Sequence, residues 1–491
     1  MSDGGRVLDV LVVGAGFAGI CAGKKLLDAG ITDFLIVEKG GGIGGTWWDN
    51  TYPGAACDVA SHLYCFSFAP NPDWSRKYSP RPEIQAYLER CVDRFGLRRH
   101  LRQRRELKRL EFQDDRGLWR AYFADGEQRD ARHIILGNGG LHMPKLPDIP
   151  GIQDFRGRWM HSARWQKGFS LNGLRVAIVG SAASAIQILP AVAPRVAHAA
   201  LFQRTPNYIL PRDDRSYGAW QKWVFRYVPG ALRLYRLGIF LRMDLLLYPI
   251  TRETSGLRVK ARRMMLSFMR RQVKDPALHP KLTPDYEMGC KRILISDDFF
   301  ASLNRPNVEL VTEAISGIEE NGIRTRDGRL HEVDLIVYAT GFDLEAHMLG
   351  VEIRGPGGRS LAEQWSDLPT AFNGCCVPGM PNLYFVTGPN TGVGTTSIVF
   401  MIEQEVGFIL RCIRLAGREK LMSIRDSACA RYNDTLQAAL QKTVWASGCK
   451  SWYRREDGKI STLYPWNALR FRRQLRKLDS EDFEILERKS Y

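Results

Sequence analysis

No run of 18 apolar residues occurs anywhere in this chain, so the sequence offers no candidate membrane span. Its most apolar stretch, 237–250, is broken by Arg242 and Asp244. No basic leader with an apolar core precedes the first apolar run at Leu8, and we expect no signal peptide. None of the ten cysteines stands in a Cys-x-x-Cys pair, which excludes a zinc ribbon and a thioredoxin-type dithiol and argues against a disulfide framework. They read as reduced, mostly buried small hydrophobes of a cytoplasmic protein. The nine histidines show no His-Glu-x-x-His or related spacing, so no metal centre is expected. Low-complexity tracts are absent, and with 44% apolar and 25% charged residues the chain is not a largely disordered one.

What the 491 residues do contain is one pattern written twice. Residues 8–13, LDVLVV, form a continuous apolar run ending at Gly14, followed by helical apolar spacing from Phe17 to Leu27 and a second apolar run at 34–37. That is a βαβ unit. The same order returns at 174–179, 182–192 and 199–202. Two dinucleotide-fold units in one chain imply an α/β protein with two Rossmann-like domains and two nucleotide cofactors. The apparent closing strand of the first unit, 133–136, precedes a proline-punctuated connection, PKLPDIPG, where we place a domain boundary.

Gly14, Gly16 and Gly19 form G-x-G-x-x-G between strand and helix, where the backbone can approach a pyrophosphate at a helix N-terminus. Glu38 ends the second strand, where an acid accepts hydrogen bonds from a ribose 2′,3′-diol and repels a 2′-phosphate. The first site therefore takes FAD or NAD rather than NADP. The second loop, Gly180-Ser181-Ala182-Ala183-Ser184-Ala185, keeps only the first glycine. Ala185 still permits close helix packing, while Ala182 holds the diphosphate slightly farther out. The strand that follows ends in Gln203-Arg204, with a cation where a 2′-phosphate needs one, so NADPH is favoured over NADH. A solvated surface cation is the alternative for Arg204.

At this point the chain resembles the class B flavoprotein monooxygenases, and among them the Baeyer–Villiger monooxygenases. The stretch GGTWWDNTYPGAACD, 44–58, fits that family's pattern of small residues, Trp, Tyr-Pro-Gly and a final Asp. A second signature, F-x-G-x-x-x-H-x-x-x-W, is present as Phe155, Gly157, His161 and Trp165, with Gln166 where the family has Pro or Asp. The resemblance implies that Lys291-Arg292 is the family's Lys-Arg pair, with Lys291 on the 2′-phosphate and Arg292 catalytic, and that Asp58 partners Arg292. It also implies FAD contacts at Phe17, Gly45, Thr46, Trp47, Asp58, Tyr64 and Ile398. On the NADP side it implies Ala56, Cys57, Gln187, Thr205, Lys291 and Arg292 beside the 180–185 loop, and a hinge role for the second signature. The helix starting near Thr396 would aim its N-terminus at the flavin.

A physical need for such a pair can be stated separately. A peroxide formed at the flavin C4a attacks a ketone only while it is an anion, so a fixed cation must stabilise negative charge there; arginine stays charged throughout, and a counter-ion must hold it. With no thiol pair, haem ligand or metal cluster in the sequence, molecular oxygen or a small acceptor is the expected electron sink. The implied function is NADPH- and O2-dependent oxidation of a ketone to an ester or lactone. The alternatives are an N- or S-oxygenase, and a membrane-associated flavoprotein that oxygenates nothing.

The expected organisation is an FAD-binding domain in two parts, 1–152 and 340–491, an NADP-binding domain in two parts, 153–212 and 283–339, and a basic helical insertion at 213–282. Of the formal net charge of +17, residues 215–281 supply +12, from 15 basic and 3 acidic residues. Apolar positions recur at helical spacing at Phe225, Val228, Leu232, Tyr235 and Ile239. One reading is a solvated cationic face whose apolar stripe packs on the NADP domain. The other is peripheral membrane docking, since Trp220, Trp223, Phe225 and Tyr227 stand among Lys and Arg. No recognition-helix or stacking-platform signature accompanies the charge, so no nucleic-acid partner is expected.

Overall fold

The computed structural model describes residues 6–252, 255–343, 350–449, 454–455 and 457–488. Parallel strands are covered on both faces and so read as continuous apolar runs, and the run that opens the chain lies inside the larger sheet. Strand Leu8–Val13 is parallel to Phe34–Glu38 on one side and to Gln128–Leu136 on the other, with Val10 opposite Phe34 and His133. Helix Phe17–Asp28 is the crossover. Gln128–Leu136 begins five residues earlier than its apolar half suggests, because its first residues pair antiparallel with Leu118–Phe123. Its last residues also pair with Leu383–Phe385, which the chain supplies only after completing the second sheet.

That second sheet has five parallel strands in the order Val308–Val311, His198–Phe202, Arg175–Val179, Leu335–Tyr338 and Arg158–His161. Helix Ala183–Val192 follows Arg175–Val179. The architecture is therefore α/β with two parallel-strand, Rossmann-like sheets. A three-stranded antiparallel sheet of Ile315–Glu319, Gly322–Thr325 and Leu330–Glu332 was not anticipated. Its strands, three to five residues long and rich in charge, carry too few apolar positions to show alternation.

The basic insertion leaves after Ile209–Leu210 and returns at Leu294–Ile295, and these two short strands pair in parallel, closing its neck. Between them run helices Ala219–Tyr227, Ala231–Arg242 and Gly256–Gln272. Asp244, one of the charges that interrupts the apolar run, is buried and accepts from Ala468 N at 2.7 Å, joining the insertion to helix Ala468–Leu475. No helix among the described residues is long and apolar enough to cross a membrane.

One expectation is overturned. Eight cysteines are free and buried, but Cys290 and Cys449 form a disulfide, with Cα atoms 6.4 Å apart across 159 positions of sequence. Spacing arguments detect close pairs only, and nothing local marks this one. It links the residue before Lys291 to the chain that follows Trp445.

Candidate active site

The first phosphate loop is shaped by steric contacts that only glycine allows. Gly14 has a left-handed φ of +95°, and a Cβ there would meet Gly137 O at 2.5 Å. A Cβ on Gly19 would lie 1.8 Å from Gly14 O. Gly16 faces Gly45, 3.6 Å from where its Cβ would stand, so the loop is closed by the start of the 44–58 signature. Helix Phe17–Asp28 has no side-chain cap, and its first amides are left for an anion. Glu38 lies beside the loop, its Oε2 accepting from Ala15 N at 2.9 Å and Oε1 from Gly40 N at 2.7 Å. These bonds hold the carboxylate where a ribose would meet it. Uncapped amides, a glycine cradle and an acid together fit the adenosine diphosphate half of FAD.

Thr46 opens the short helix Thr46–Asp49, whose turn is held by Arg81: Nε donates to Trp47 O at 2.6 Å and Nη2 to Trp48 O at 3.2 Å. Trp47 is buried and its Nε1 donates to Tyr64 OH at 3.1 Å. Phe17 meets the same tyrosine edge-on at 5.1 Å, and Ile398 is partly buried against the cluster that contains Phe17 and Trp47. Ile398 begins a helix that runs to Ala416 and is capped by Ser397, whose Oγ accepts from Val399 N at 3.2 Å. The preceding loop places Thr387 and Asn390 at φ +61° and +56°. Thr387 N donates to Glu405 Oε2 at 3.1 Å, and Asn390 Nδ2 donates to Ile460 O at 2.7 Å and Leu463 O at 3.0 Å. Glu405 is fully buried, and burial pushes its carboxyl up to about 8.

The middle of the 44–58 signature joins the two sheets. Gln187, on helix Ala183–Val192, donates to Ala56 O at 3.0 Å while its Oε1 accepts from Tyr52 OH at 3.0 Å. Gly54 has φ +82°, and a Cβ on it would stand 2.3 Å from Gln187 O. The Tyr-Pro-Gly element is thus a packing contact against the second nucleotide helix, with the Gln187 side chain turned toward Ala56. The second signature meets the first as well: Thr51 Oγ1 donates to Trp165 O at 3.4 Å. Phe155 folds its ring over Gly157, where a Cβ would lie 2.4 Å from Phe155 Cζ. Burial pushes His161 down to about 4, so its ring is neutral at pH 7 and Nδ1 accepts from Ala163 N at 3.1 Å. Gln166 is exposed and its side chain belongs to no core contact.

Past Ala56 the chain delivers Cys57 and Asp58. Burial and the adjacent Asp58 carboxylate push the Cys57 thiol well up, so it is no nucleophile at neutral pH. Asp58 Oδ2 accepts from Arg292 Nε at 3.0 Å and from Nη2 at 2.7 Å, across 234 positions of sequence. The side chains are 31% and 38% exposed, half-buried rather than in bulk water. Sequence reasoning missed a second guanidinium: Arg212 Nη2 donates to Cys57 O at 2.9 Å, and its Cζ lies 5.1 Å from the Tyr78 ring centroid. Arg212 stands at the neck of the insertion, where no motif spacing would single it out.

The second phosphate loop repeats the steric rule at one position. Gly180 has φ +112°, and a Cβ would meet Ala339 O at 2.5 Å. Ser181 Oγ donates to Thr205 O at 3.0 Å, and Ala182 caps helix Ala183–Val192 without a side-chain hydrogen bond. Ser184 lies beside Tyr52, and Ala185 is fully buried. Burial and the nearby Arg204 charge both push the Lys291 ammonium down. Lys291 Nζ lies 4.5 Å from the Tyr286 ring centroid. Two cations close enough to destabilise each other are what a dianion would relieve, so uncapped helix amides with Lys291 and Arg204 fit NADPH.

A flavin-binding monooxygenase-like family model matches residues 8–353. A Baeyer–Villiger monooxygenase of Streptomyces coelicolor is 40% identical over 97% of this chain and 92% of its own length, and one of Pseudomonas aeruginosa is 38% identical over 98% and 92%. A closed crystal structure of cyclohexanone monooxygenase superposes with a TM-score of 0.88 at 29% identity, covering 98% of this chain and 99% of that one. The enzyme of that name from Rhodococcus sp. Phi1, bound to NADP+, gives 0.87 at 30%, with the same coverage. Full-length likeness at this level, on a chain whose loops fit both nucleotides, leads to one assignment: the chain belongs to the flavin-binding monooxygenase-like family, on its Baeyer–Villiger monooxygenase branch.

Proposed function

We propose that this FAD- and NADPH-dependent monooxygenase inserts one oxygen atom of O2 beside the carbonyl of a ketone, with Arg292 as the catalytic cation and Asp58 as its positioning partner. The balance is ketone, O2, NADPH and a proton giving ester or lactone, NADP+ and water. The observation that carries the reading is the Arg292–Asp58 pair, in which Asp58 Oδ2 accepts from both Nε and Nη2 of a guanidinium whose side chain is 38% exposed.

Bound FAD supplies the two-electron relay from NADPH to dioxygen. The chain does the rest. The 14–19 loop and Glu38 hold the adenosine end of FAD, and Trp47 with Tyr64 walls its ring. Lys291 and Arg204 take the 2′-phosphate, and the 180–185 loop takes the diphosphate. Arg292 presents a fixed guanidinium charge and stabilises the negative charge that develops on oxygen during attack on the carbonyl. Asp58 fixes the direction of the guanidinium. His161, neutral and holding Ala163, serves the domain hinge rather than proton transfer.

Incubating the holoenzyme with NADPH and 18O2 over a panel of cyclic and open-chain ketones tests this. The expected result is one labelled oxygen in the ester product per NADPH consumed. If NADPH yields only hydrogen peroxide across the panel while sulfides or amines are oxygenated, the heteroatom reading replaces ours.

A further inference from the structure

The helical insertion carries two apolar faces, and the protein uses only one. Inward, Phe225, Tyr235 and Tyr217 gather around His62, with ring centroids 4.7, 5.4 and 4.9 Å from it. Arg236 Nη1 donates to His62 O at 2.7 Å and Cys65 O at 2.9 Å. A packed stripe is therefore present, but it lies against residues 62–65 and the core cluster of Phe17 and Leu63, in the expected FAD-binding part, and not on the NADP domain as the solvated-face reading had it. It does not account for what lies opposite.

On helix Ala219–Tyr227, Trp220, Trp223 and Tyr227 fall at i, i+3 and i+7, away from Phe225. They are 70%, 58% and 60% exposed, and Trp223 and Tyr227 lie with centroids 5.8 Å apart. On helix Ala231–Arg242 and its continuation, Leu234, Leu237 and Leu245 form a stripe opposite Tyr235. Leu234 is 70% exposed. The two helices pack directly on each other, with the Phe225 and Tyr235 ring centroids 5.0 Å apart, so the outer stripes lie on adjoining helices. Of the 17 large hydrophobic side chains exposed among the described residues, 11 fall between positions 220 and 264. That concentration, in less than a tenth of the chain, is not the scatter of an ordinary surface.

We propose that this face docks on an anionic phospholipid surface. Aromatic residues beside cations are the composition of an element that lies in the bilayer interface. Arg226 and Arg258 have carboxylate neighbours in Asp73 and Glu287. Lys222, Arg233, Lys260 and Arg263 have no carboxylate partner among the described residues. Their charge is available to an anionic leaflet. Charge also selects this occupant over the others. A second copy of the face would set one net +12 segment against another. A nucleic acid would satisfy the cations but leave the tryptophans and leucines in water. With no spanning helix among the described residues, the contact is peripheral. The inference does not depend on which substrate is oxygenated.

The test is sedimentation of the purified holoenzyme with phosphatidylcholine vesicles, with and without phosphatidylglycerol, at low and high salt. Wild type is expected to partition onto the phosphatidylglycerol vesicles and to be released by salt. The Trp220→Ser/Trp223→Ser variant is expected to lose roughly tenfold or more of that binding, while NADPH oxidation in solution stays unchanged, which shows that the variant is folded. Absence of binding by wild type overturns the proposal. So does undiminished binding by the tryptophan variant, and so does a wild-type oligomer in sedimentation equilibrium that this variant dissolves, which would assign the face to a second copy.

Discussion

Replacing Arg292 by alanine separates a catalytic cation from a structural one, because the two roles predict very different losses. Its pair with Asp58 is about one-third exposed on each side and rests on a single carboxylate oxygen. Ion pairs with that degree of solvent contact contribute roughly 1 kcal/mol or less to folding, so the melting temperature of Arg292→Ala should fall by no more than about 4 °C. A preorganised charge aimed at developing negative charge contributes about 3 to 4 kcal/mol to the transition state. Ketone oxygenation should then drop about 100- to 1,000-fold. NADPH binding and oxidation precede the step that needs this charge, so NADPH consumption should continue and emerge as hydrogen peroxide. Asp58→Asn, which keeps an acceptor but removes the counter-charge, should show the same uncoupling with a smaller loss, about tenfold. Lactone yield by gas chromatography, peroxide yield and a thermal melt on the same preparation form the assay. If Arg292→Ala keeps more than about a tenth of ketone turnover, or loses activity only in step with a large fall in melting temperature, the assignment is wrong.

Glu405 has its carboxyl raised by burial to about 8, so folding takes up a proton between the unfolded carboxyl value and pH 8. That contribution to stability is complete below about pH 4.5 and lost as pH rises toward 8. Glu405→Gln should therefore gain on wild type by about 1.4 kcal/mol per pH unit across that window in denaturant melts, and parallel pH profiles would refute the buried-acid reading. Arg204→Ala should raise KM for NADPH about 10- to 100-fold, as expected for a lost charged hydrogen bond. KM for NADH should not move, and equal changes for both coenzymes would remove Arg204 from the 2′-phosphate. Gly54→Ala forces a side chain into a left-handed φ and against Gln187 O, so stability should fall by about 2 to 3 kcal/mol; a neutral melt would show that the two sheets are not in register there.

How much could be read without coordinates depended on whether a feature is local. The strand-loop-helix of 8–28 and its repeat at 175–192 were legible because a parallel strand covered on both faces has to be a continuous apolar run and a tight phosphate turn has to have glycine at its first position. Gly14 and Gly180 both meet a carbonyl at 2.5 Å where a Cβ would be. The antiparallel sheet at 315–332 left no such trace, since its pairing is with itself and its residues are mostly polar. Asp58 and Arg292 were named only through resemblance, because nothing within 234 positions of intervening chain indicates that they touch. Gln187 was assigned to the NADP side through the resemblance, and only the folded chain shows its amide occupied by Ala56 and Tyr52.

Composition could count the cations and tryptophans of the insertion, but both of its readings were compatible with that count. A helix has two sides, and which of them meets the core is settled by the partner it packs on, here His62 and its ring cluster. The Cys290–Cys449 bond belongs to the same class. The sequence alone determined the backbone conformations, the repeated nucleotide unit and the charge distribution, since these follow from sterics and periodicity over a few residues. Tertiary structure decided which distant side chains meet, which apolar stripe stays outside and which acid is stripped of water, because those depend on closing loops of a hundred residues or more around one core.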